Sequence, residues 1–324
     1  MATSTAFVTG ASGFVGGALV RDLVADRVAV RALVRSDGAA RRVEALGAEP
    51  VRGDVSDREA IREGARGCSL AFHAAALASE WGPVEEYERV NVEGTRNVLA
   101  GCAAAGVERL VHVGTEAALL GGEPLINADE DVPLRPDSKA PYSATKARAE
   151  MAVLDANRDG FETVVVRPRL VWGVGDTSIL PALVEAVDAG RFAWIGGGRH
   201  LTSTTNIANA VHGLRLGAER GRAGGVYFVT DGGPVVFRDF ISELLATQGI
   251  EAPSRNIPRP LAGPMAAGLE GVWRTLGLKG SPPLTRLSYW LSALETTIDI
   301  SRARRELGYE PVTTIEEGMG ELRA

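Results

Sequence analysis

The chain has 324 residues, of which 45% are hydrophobic and 23% are charged, and its formal net charge is −6. This composition is typical of a globular protein with a large core, and the length suits one large domain with a smaller lobe. The negative charge argues against a nucleic-acid-binding surface and is compatible with a small-molecule partner.

Short apolar runs alternate with helix-like segments over the first two-thirds of the chain. Near-continuous apolar character in short strands is typical of a parallel sheet that is covered on both faces. In the first helix Val15, Leu19 and Leu23 form an apolar stripe that is expected to face the sheet. The pattern predicts an α/β fold with a doubly wound parallel sheet and right-handed crossovers. The predicted strands are TAFVTG from Thr5, VAVRALV from Val28, SLAFHAAA from Ser69, RLVHVGT from Arg109, ETVVVRP from Glu162 and VYFVT from Val226.

The first predicted strand runs into the glycine-rich segment TGASGFVG, which an amphipathic helix follows. Glycines at this point permit a tight turn and let the backbone approach a pyrophosphate. The helix N-terminus offers free N–H groups and a partial positive charge to the phosphates. A glycine triplet alone is a weak signal, but its place between a strand and a helix predicts a dinucleotide site.

The end of the second strand reads Val34-Arg35-Ser36, with Arg41 and Arg42 following. NAD sites commonly place an acid here, about twenty residues past the glycines, to bind the ribose 2′-hydroxyl. A guanidinium and a hydroxyl suit a 2′-phosphate instead, so the sequence favours NADP over NAD. Asp54 in GDVSD follows the third strand and is expected either to meet the adenine or to cap the next helix.

Tyr142 and Lys146 lie four residues apart in PYSATKARAE, on one face of a helix that can begin at Pro141. A nearby ammonium favours the phenolate, so we expect Lys146 to lower the pKa of Tyr142 and make it a general acid–base. Thr115 ends the fifth strand, at the sheet edge where ligands of such folds bind. Its hydroxyl is expected to hold a substrate oxygen beside Tyr142.

Beyond about Asp176 the pattern loosens and Pro and Gly become frequent. We predict that residues 1–175 and 203–233 form the dinucleotide-binding domain. Residues 176–202 and 234–324 are expected to form a smaller C-terminal substrate lobe that closes over the cofactor.

Together these segments resemble the extended branch of the short-chain dehydrogenase/reductase superfamily. The matching motifs are TGASGFVG, GDVSD, FHAAA, NVEGT, VHVGT, YSATK, RPRLVWG and the ending IDISRARRELGYEP. The second strand is similar to that of dihydroflavonol reductases and related NADP-dependent ketone reductases. The later part resembles bacterial proteins grouped with 3β-hydroxysteroid dehydrogenases, which typically carry an acid at the ribose position that this chain lacks.

The resemblance implies a Rossmann fold, a nicotinamide cofactor and a set of site residues. Thr115, Tyr142 and Lys146 would be catalytic, with Lys146 also holding the nicotinamide ribose. Asn91 would support the site from the neighbouring helix, or act as a helix cap. The other expected cofactor-binding residues are Thr9, Gly10, Ser12, Gly13, Phe14, Val15, Gly16, Arg35, Ser36, Asp54, Val55, His73, Ala74, Ala75 and Pro168.

Three chemistries remain to be distinguished on such a scaffold. Dehydratases of this branch usually place Asp and Glu after the threonine, but here Glu116 and Ala117 follow, so dehydration is not expected. Sugar-nucleotide epimerases generally show an Arg-Asp-(Phe/Tyr)-(Ile/Val)-His stretch, which this chain lacks. We therefore expect NADP-dependent reduction of a hydrophobic ketone or aldehyde, or oxidation of the alcohol, with Tyr/Lys/Thr-assisted hydride transfer.

An epimerase and a non-catalytic NADP-binding sensor remain the alternatives. The candidate substrate pocket is largely apolar or aromatic, which suits a hydrophobic substrate. Its expected residues are Trp81, Glu116, Trp172 and His200, with Trp194 and Tyr289 as further candidates.

Neither a metal nor a membrane anchor is expected. His73 and His200 lack a third ligand at a recognisable spacing, and Cys68 and Cys102 are too few for a disulfide framework. The opening residues lack a signal-peptide pattern, and no apolar run has the length of a membrane span. We expect a cytoplasmic protein, and a homodimer through the helices that begin near Asn91 and Tyr142 is a further expectation.

Overall fold

The computed structural model describes residues 5–323, so the outermost limits of the predicted domains, at 1 and 324, lie outside the described residues. A seven-stranded sheet forms its centre, with the order β3-β2-β1-β4-β5-β7-β12. The strands of the chain are β1 (Thr5–Thr9), β2 (Ala29–Val34), β3 (Glu49–Arg52), β4 (Leu70–His73), β5 (Arg109–Val113), β6 (Leu125–Ala128), β7 (Glu162–Pro168), β8 (Val171–Trp172), β9 (Trp194–Ile195), β10 (Leu201–Thr202), β11 (Thr205–Asn206), β12 (Gly225–Val229), β13 (Val235–Val236), β14 (Asn256–Ile257) and β15 (Thr296–Ile298).

Helices connect these strands and cover both faces of the sheet. The α-helices are α1 (Phe14–Ala25), α2 (Asp37–Ala45), α3 (Arg58–Ala65), α4 (Val84–Tyr87), α5 (Gly94–Ala105), α6 (Pro141–Asp155), α7 (Ile179–Asp188), α8 (Ile207–Arg220), α9 (Phe237–Ala246), α10 (Arg259–Leu276), α11 (Arg286–Ala293) and α12 (Ile315–Arg323). A π-helical segment, Glu88–Glu93, leads into α5, and a 3-10 helix, Glu116–Leu119, follows β5.

All neighbouring strands of the large sheet are parallel. One buried cluster contains Leu19 and Leu23 of α1 with Leu214 of α8, and a second contains Ile61 of α3 with Val153 of α6. The sheet is therefore covered by helices on both faces, which confirms the predicted doubly wound architecture and its six predicted strands. The chain order reverses between β1 and β4, and ligands of such folds bind at this point.

A smaller four-stranded sheet, β13-β10-β15-β6, lies beyond the carboxyl ends of the large one. Helices α7 and α9 enclose a third apolar cluster around Trp172, Trp194 and Phe240. The division into two domains stays a prediction. Strand β6, which falls within the predicted range 1–175, pairs with β15 and so belongs to the small sheet.

Among the described residues, no helix combines the length and apolar character needed to cross a bilayer.

Candidate active site

The turn from β1 to α1 requires glycine at two positions. Gly10 has φ +73°, and a Cβ there would lie 2.5 Å from the backbone nitrogen of Ala75. A Cβ on Gly16 would lie 2.2 Å from the carbonyl oxygen of Gly10. Gly13 precedes α1, and no side chain caps its first N–H groups. The bare turn and the open helix N-terminus fit a pyrophosphate, which the expected dinucleotide carries.

The residues around this turn differ in accessibility. Ser12, Phe14 and Val15 are partly buried at the start of α1, and Ala74 and Ala75 are partly buried after β4. They remain candidate cofactor contacts.

The residues that were expected to bind the adenosine lie close together at the end of β2. Arg35 is exposed, and its guanidinium lies 3.7 Å from the Asp54 carboxylate. The Ser36 hydroxyl accepts a hydrogen bond from the backbone N–H of Ala39 and caps α2. Asp54 accepts bonds from the backbone and hydroxyl of Ser56, which together with Arg35 and Arg89 hold the pKa of Asp54 below its usual value against the effect of burial. Asp54 does not cap α3, because Asp57 does.

Thr115 and Tyr142 meet at the carboxyl edge of the sheet. Thr115 follows β5, and Tyr142 lies in the first turn of α6, which begins at Pro141. Both side chains are partly exposed, and the neighbouring Thr115 hydroxyl acts to lower the pKa of the Tyr142 phenol. The two hydroxyls therefore converge on one region, where a substrate oxygen can reach both.

The expected lowering of the Tyr142 pKa by Lys146 is wrong for this structure. Burial raises the pKa of Tyr142 well above its ordinary value, the Glu116 carboxylate raises it further, and the neighbouring Thr115 hydroxyl only partly opposes these two effects. Lys146 is directed elsewhere, because its ammonium donates to the carbonyl of Val113 at 2.8 Å. Burial also lowers the pKa of Lys146 to about 8. The phenol is thus held in its protonated form.

Glu116 is a buried ion-pair partner, not an exposed substrate contact. It accepts a hydrogen bond of 2.9 Å from the Thr115 hydroxyl and pairs with the guanidinium of Arg169. Arg169 also donates to the hydroxyl of Thr202 at 2.7 Å, so it joins β10 to the site. Both charged side chains are buried, and such a pair holds its neighbours only while both partners are present.

Thr9 and His73 are fully buried, so their predicted contact with the cofactor depends on the backbone. The Thr9 hydroxyl bonds His73 Nδ1 at 2.7 Å, and His73 Nε2 bonds the Thr95 hydroxyl at 2.9 Å. Burial, with a smaller effect of Lys146, lowers the pKa of His73 to about 3, so the ring is neutral. These hydrogen bonds join β1, β4 and α5 beneath the site. Thr9 and His73 point to this face of the sheet because alternate residues of a strand point to opposite faces.

Asn91 links the loop at Leu77 to α6 by hydrogen bonds. Its amide nitrogen donates to the carbonyl of Leu77 and to the hydroxyl of Thr145, and its oxygen accepts from the Leu77 N–H at 2.7 Å. Of the two expected roles the structure excludes a helix cap, since Asn91 lies inside the π-helical segment. Its buried side chain supports the elements around the site.

Val55 and Pro168 are both buried. Pro168 ends β7 beside β12, at the same sheet edge as Thr115, and Val55 packs against α5. Their side chains offer little surface to a cofactor, so a contact there depends on the backbone.

Trp172 is wrong as an expected substrate contact. Its ring is fully buried, packs edge-on against Phe240, and donates its N–H to the Asp231 carboxylate at 2.8 Å. Trp194 is buried in the same cluster. Both tryptophans belong to the core of the small lobe.

Trp81 and His200 stay candidates on the substrate side. Trp81 is partly buried, with the Arg274 guanidinium 5.1 Å from its ring centre. His200 stacks on Phe237, and its Nε2 has no hydrogen-bond partner among the described residues. Burial, then Arg169 and Arg259, lower the pKa of His200 to about 4, so its ring is neutral and can donate or accept a bond.

An apolar cluster packs around Tyr142. It combines the segment after Thr115 with α11, and Tyr289 also borders it. This cluster gives the site an apolar wall. Its buried members are Ala117, Leu120, Ala140, Leu287, Trp290 and Leu294.

Comparison with known proteins matches this geometry to a family. Residues 7–259 match the model of the 3-beta hydroxysteroid dehydrogenase/isomerase family. The chain belongs to this family. It is 49% identical to 4-hydroxy-2-methyl-3-oxo-4-farnesyl-3,4-dihydroquinoline-1-oxide ketoreductase of Stigmatella aurantiaca, over 98% of this chain and 95% of that one. It is 38% identical to 2-alkyl-3-oxoalkanoate reductase of Stenotrophomonas maltophilia, over 98% of each.

A solved structure supports the fold of this 3-beta hydroxysteroid dehydrogenase family member. A short-chain dehydrogenase/reductase superfamily protein of Agrobacterium tumefaciens, with bound NAD, has a TM-score of 0.73 at 23% identity over 98% of this chain and 96% of that one. The expected resemblance is confirmed, and the chain is an oxidoreductase of the short-chain type with a nicotinamide dinucleotide cofactor.

The sequence analysis missed two polar residues of this family member's site. Arg169 reaches Glu116 across 53 positions of the chain. His112 lies 3.4 Å from the Lys146 ammonium, and its ring is 5.1 Å from that of His73. Burial and two neighbours, Lys146 and His73, lower the pKa of His112 well below its usual value. Arg169 is the third residue of RPRLVWG, and its place directly after β7 was the signal that could have identified it.

Proposed function

We propose that the chain is an NADP(H)-dependent reductase of a ketone carried by a hydrophobic small molecule. The observation that carries the proposal is the placement of Tyr142. Its phenol lies beside Thr115 and is packed against an apolar cluster that includes Leu287 and Trp290. A protonated donor in an apolar pocket suits a carbonyl on an otherwise apolar molecule. The two relatives described above are named for reduction of ketones.

Several residues of the chain have separate roles in the reaction at the carbonyl oxygen. Tyr142 donates its phenolic proton to that oxygen, and Thr115 exchanges its bond to Glu116 for one to the same atom. Arg169 continues to neutralise Glu116 while this happens, because the ion pair does not depend on Thr115. Lys146 would bind the nicotinamide ribose. When bound, the nicotinamide supplies the hydride for reduction or accepts it in the reverse direction.

A turnover assay tests the reaction class. Purified protein is given NADPH with a panel of lipophilic ketones, and in parallel with UDP-sugars. We expect stoichiometric loss of NADPH absorbance with a ketone. An epimerase would convert a UDP-sugar without net consumption of NADPH, and tight NADPH binding without turnover would favour a sensor.

We propose NADP over NAD because Arg35 projects, exposed, from the end of β2. Arg35→Asp replaces a cation by an anion next to Asp54. The two carboxylates together would repel a 2′-phosphate. We expect the ratio of NADPH to NADH affinity to fall at least about tenfold in fluorescence titrations. Arg191→Asp, the same charge change on the predicted substrate lobe, should leave the ratio as in the parent. An unaltered ratio in Arg35→Asp would remove Arg35 from the cofactor site.

We also propose a homodimer through α5 and α6. A groove between these helices exposes the apolar side chain of Met151. Small residues such as Ala100, Ala103 and Ala152 line it, which permits close packing of helices from a second copy.

A further inference from the structure

A row of polar side chains crosses the large sheet on the face that α5 and α6 cover. Thr9 pairs with His73 across β1 and β4, and His73 pairs with His112 across β4 and β5. All three side chains are buried, so their polar atoms depend on partners within the protein. The residues two positions earlier on the same strands belong to an apolar cluster and are Phe7, Ala71 and Leu110. The polar row is therefore confined to the carboxyl ends of these strands, next to the site.

The hydrogen bonds around His73 fix its tautomer. The Thr95 hydroxyl gives its one proton to the carbonyl of Asn91 at 2.6 Å, so it can only accept from His73 Nε2. Because the ring is neutral, His73 Nδ1 is then an acceptor, and the Thr9 hydroxyl donates to it at 2.7 Å. Both nitrogens of His73 are thus occupied, and its ring is a fixed neighbour of the His112 ring.

The next residue of the row, His112, faces Lys146. Its Nε2 lies 3.4 Å from the ammonium, and its Nδ1 has no hydrogen-bond partner among residues 5–323. An ammonium has protons to donate and no lone pair, so His112 Nε2 accepts and Nδ1 carries the ring proton. Burial, more than its two neighbours, lowers the pKa of His112 well below its usual value, which keeps the ring neutral and able to accept.

The Lys146 ammonium has three protons and two acceptors within the described chain. It donates to the carbonyl of Val113 at 2.8 Å and, over a longer distance, to His112 Nε2. One N–H is left for a ligand. Glu150, one turn further along α6, does not neutralise the ammonium, because it is paired with Arg167. Two neutral acceptors therefore hold the ammonium in one direction while its charge stays available.

We propose that His112 is a positioning residue that aims the Lys146 ammonium at the nicotinamide ribose of the bound cofactor. The proposal rests on the ribose-binding role of Lys146 under the proposed function. Val113 offers a backbone carbonyl, which any residue would supply, whereas the second acceptor requires the imidazole of His112. An apolar side chain at position 112 would leave two N–H groups of a buried ammonium without a partner in the protein, and the ammonium could turn away from the ribose.

Two ligands that differ in the nicotinamide half test this role. NADPH contains the nicotinamide ribose, whereas adenosine 2′,5′-bisphosphate contains only the adenosine half of the cofactor. Isothermal titration calorimetry of the full chain, without a ketone, gives both affinities. In His112→Met we expect the NADPH affinity to fall about tenfold, with the affinity for the bisphosphate as in the parent.

A second pair of ligands makes the test independent of the choice between NADP and NAD. NADH and ADP differ in the same nicotinamide half but lack the 2′-phosphate. We expect His112→Met to weaken NADH and leave ADP unaffected.

His112→Gln is the matched variant, because Gln and Met have nearly the same shape and differ in one strong acceptor. The Gln amide oxygen extends about as far from the backbone as His112 Nε2 does, so it can accept from Lys146. His112→Gln should therefore bind NADPH within about threefold of the parent. A merely structural role of the imidazole would not produce this difference between Gln and Met.

Thr163→Val controls for the loss of a buried bond between the sheet and α6. The Thr163 hydroxyl is buried on β7 and donates to the carbonyl of Val153 at 2.9 Å. This variant should lose stability but bind NADPH like the parent. Circular dichroism shows whether each variant is folded, and His112→Leu takes the place of His112→Met if the latter does not fold.

Three results would overturn the proposal. One is equal NADPH affinity in the parent and His112→Met, and another is an equal loss in His112→Met and His112→Gln. The third is a parallel loss of NADPH and bisphosphate affinity, which would mean that the whole cofactor site has loosened. Absence of ketone turnover with these affinity differences intact would instead count against the proposed function, since the titrations need no ketone.

Discussion

At the residue scale, Tyr142 and Glu116 form one unit with Thr115 between them. Glu116 accepts a hydrogen bond from Thr115, and its charge adds to burial in raising the pKa of the Tyr142 phenol. A protonated phenol is the form that reduction of a carbonyl uses, because the oxygen must receive a proton. Tyr142 can therefore act as the proton donor in the proposed reduction.

Tyr142→Phe removes the proton donor and keeps the ring. We expect kcat to fall about 10²–10⁴-fold, the usual size of a general acid contribution, with NADPH affinity nearly intact. Steady-state kinetics and a fluorescence titration measure the two quantities. Tyr227→Phe serves as the control. It removes a phenol of β12 that is hydrogen-bonded to Glu306, and the variant should stay active. Parent-like turnover by Tyr142→Phe would refute the assignment.

The buried ion pair gives a pH prediction with a defined sign. Reduction should slow as pH rises through the pKa of Tyr142, because the phenol then loses its proton. Glu116→Gln removes a negative charge and leaves the Arg169 cation uncompensated, so the phenol pKa falls and the alkaline decline of kcat moves to lower pH. Arg169→Gln leaves the carboxylate uncompensated and should move the decline to higher pH.

Both variants break the same pair, so each should lose about 3–5 kcal/mol of stability. Urea unfolding measures that loss of stability. Because both variants share it, it cannot explain shifts of their pH profiles in opposite directions. Shifts in one direction, or none, would separate Glu116 from the titration of Tyr142.

The residues of the site were predictable to different degrees. Thr115, Tyr142 and Lys146 stand in ordered motifs, and the structure brings Thr115 and Tyr142 together. The direction of a side chain was harder to predict, as His73 and Trp172 show, because both lie at strand ends where neighbouring residues point in opposite directions. The pairing of Arg169 with Glu116 was not predictable, since it depends on how two distant strand ends meet.

At the element scale, the β1–α1 connection is the most closely specified part of the fold. Gly16→Ala would place a methyl group 2.2 Å from the carbonyl oxygen of Gly10, so the turn must open. We expect NADPH affinity to fall at least tenfold and stability to drop by about 1–3 kcal/mol. Gly38→Ala, in the first turn of α2 with nothing within 4 Å of the new methyl group, is the matched control. Unchanged NADPH affinity in Gly16→Ala would mean that the turn is not the pyrophosphate site.

Elements of the large sheet were more predictable than those of the small lobe. Strands such as β5 and β7 are five to seven residues long and contain consecutive Val or Leu residues, so their pattern is clear. Strands β10 and β13 have two residues each, too short for an alternating pattern, and they form only by pairing with distant segments. The sequence accordingly indicated a second lobe without its sheet.

At the scale of the whole molecule, the groove between α5 and α6 remains for a partner. It carries Arg96, Arg148 and Arg158 together with Asp155. Arg148 is already paired with Glu88. A groove with both signs of charge and small residues can contact its own copy, so self-association is assigned to this face.

The dimer prediction follows from the composition of this groove. Met151→Glu puts a carboxylate at the centre of the α5–α6 groove, where two copies would bring two like charges together. Light scattering should then give a mass near 34.1 kDa in place of twice that value. Val312→Glu adds the same charge at another exposed apolar position, 58% exposed against 42% for Met151, and should leave the mass as in the parent. Because Met151 lies outside the apolar core clusters of the sheet, the melting temperature of a monomeric variant should fall only through the lost contact between copies. A Met151→Glu protein that keeps the parent mass would place the interface elsewhere.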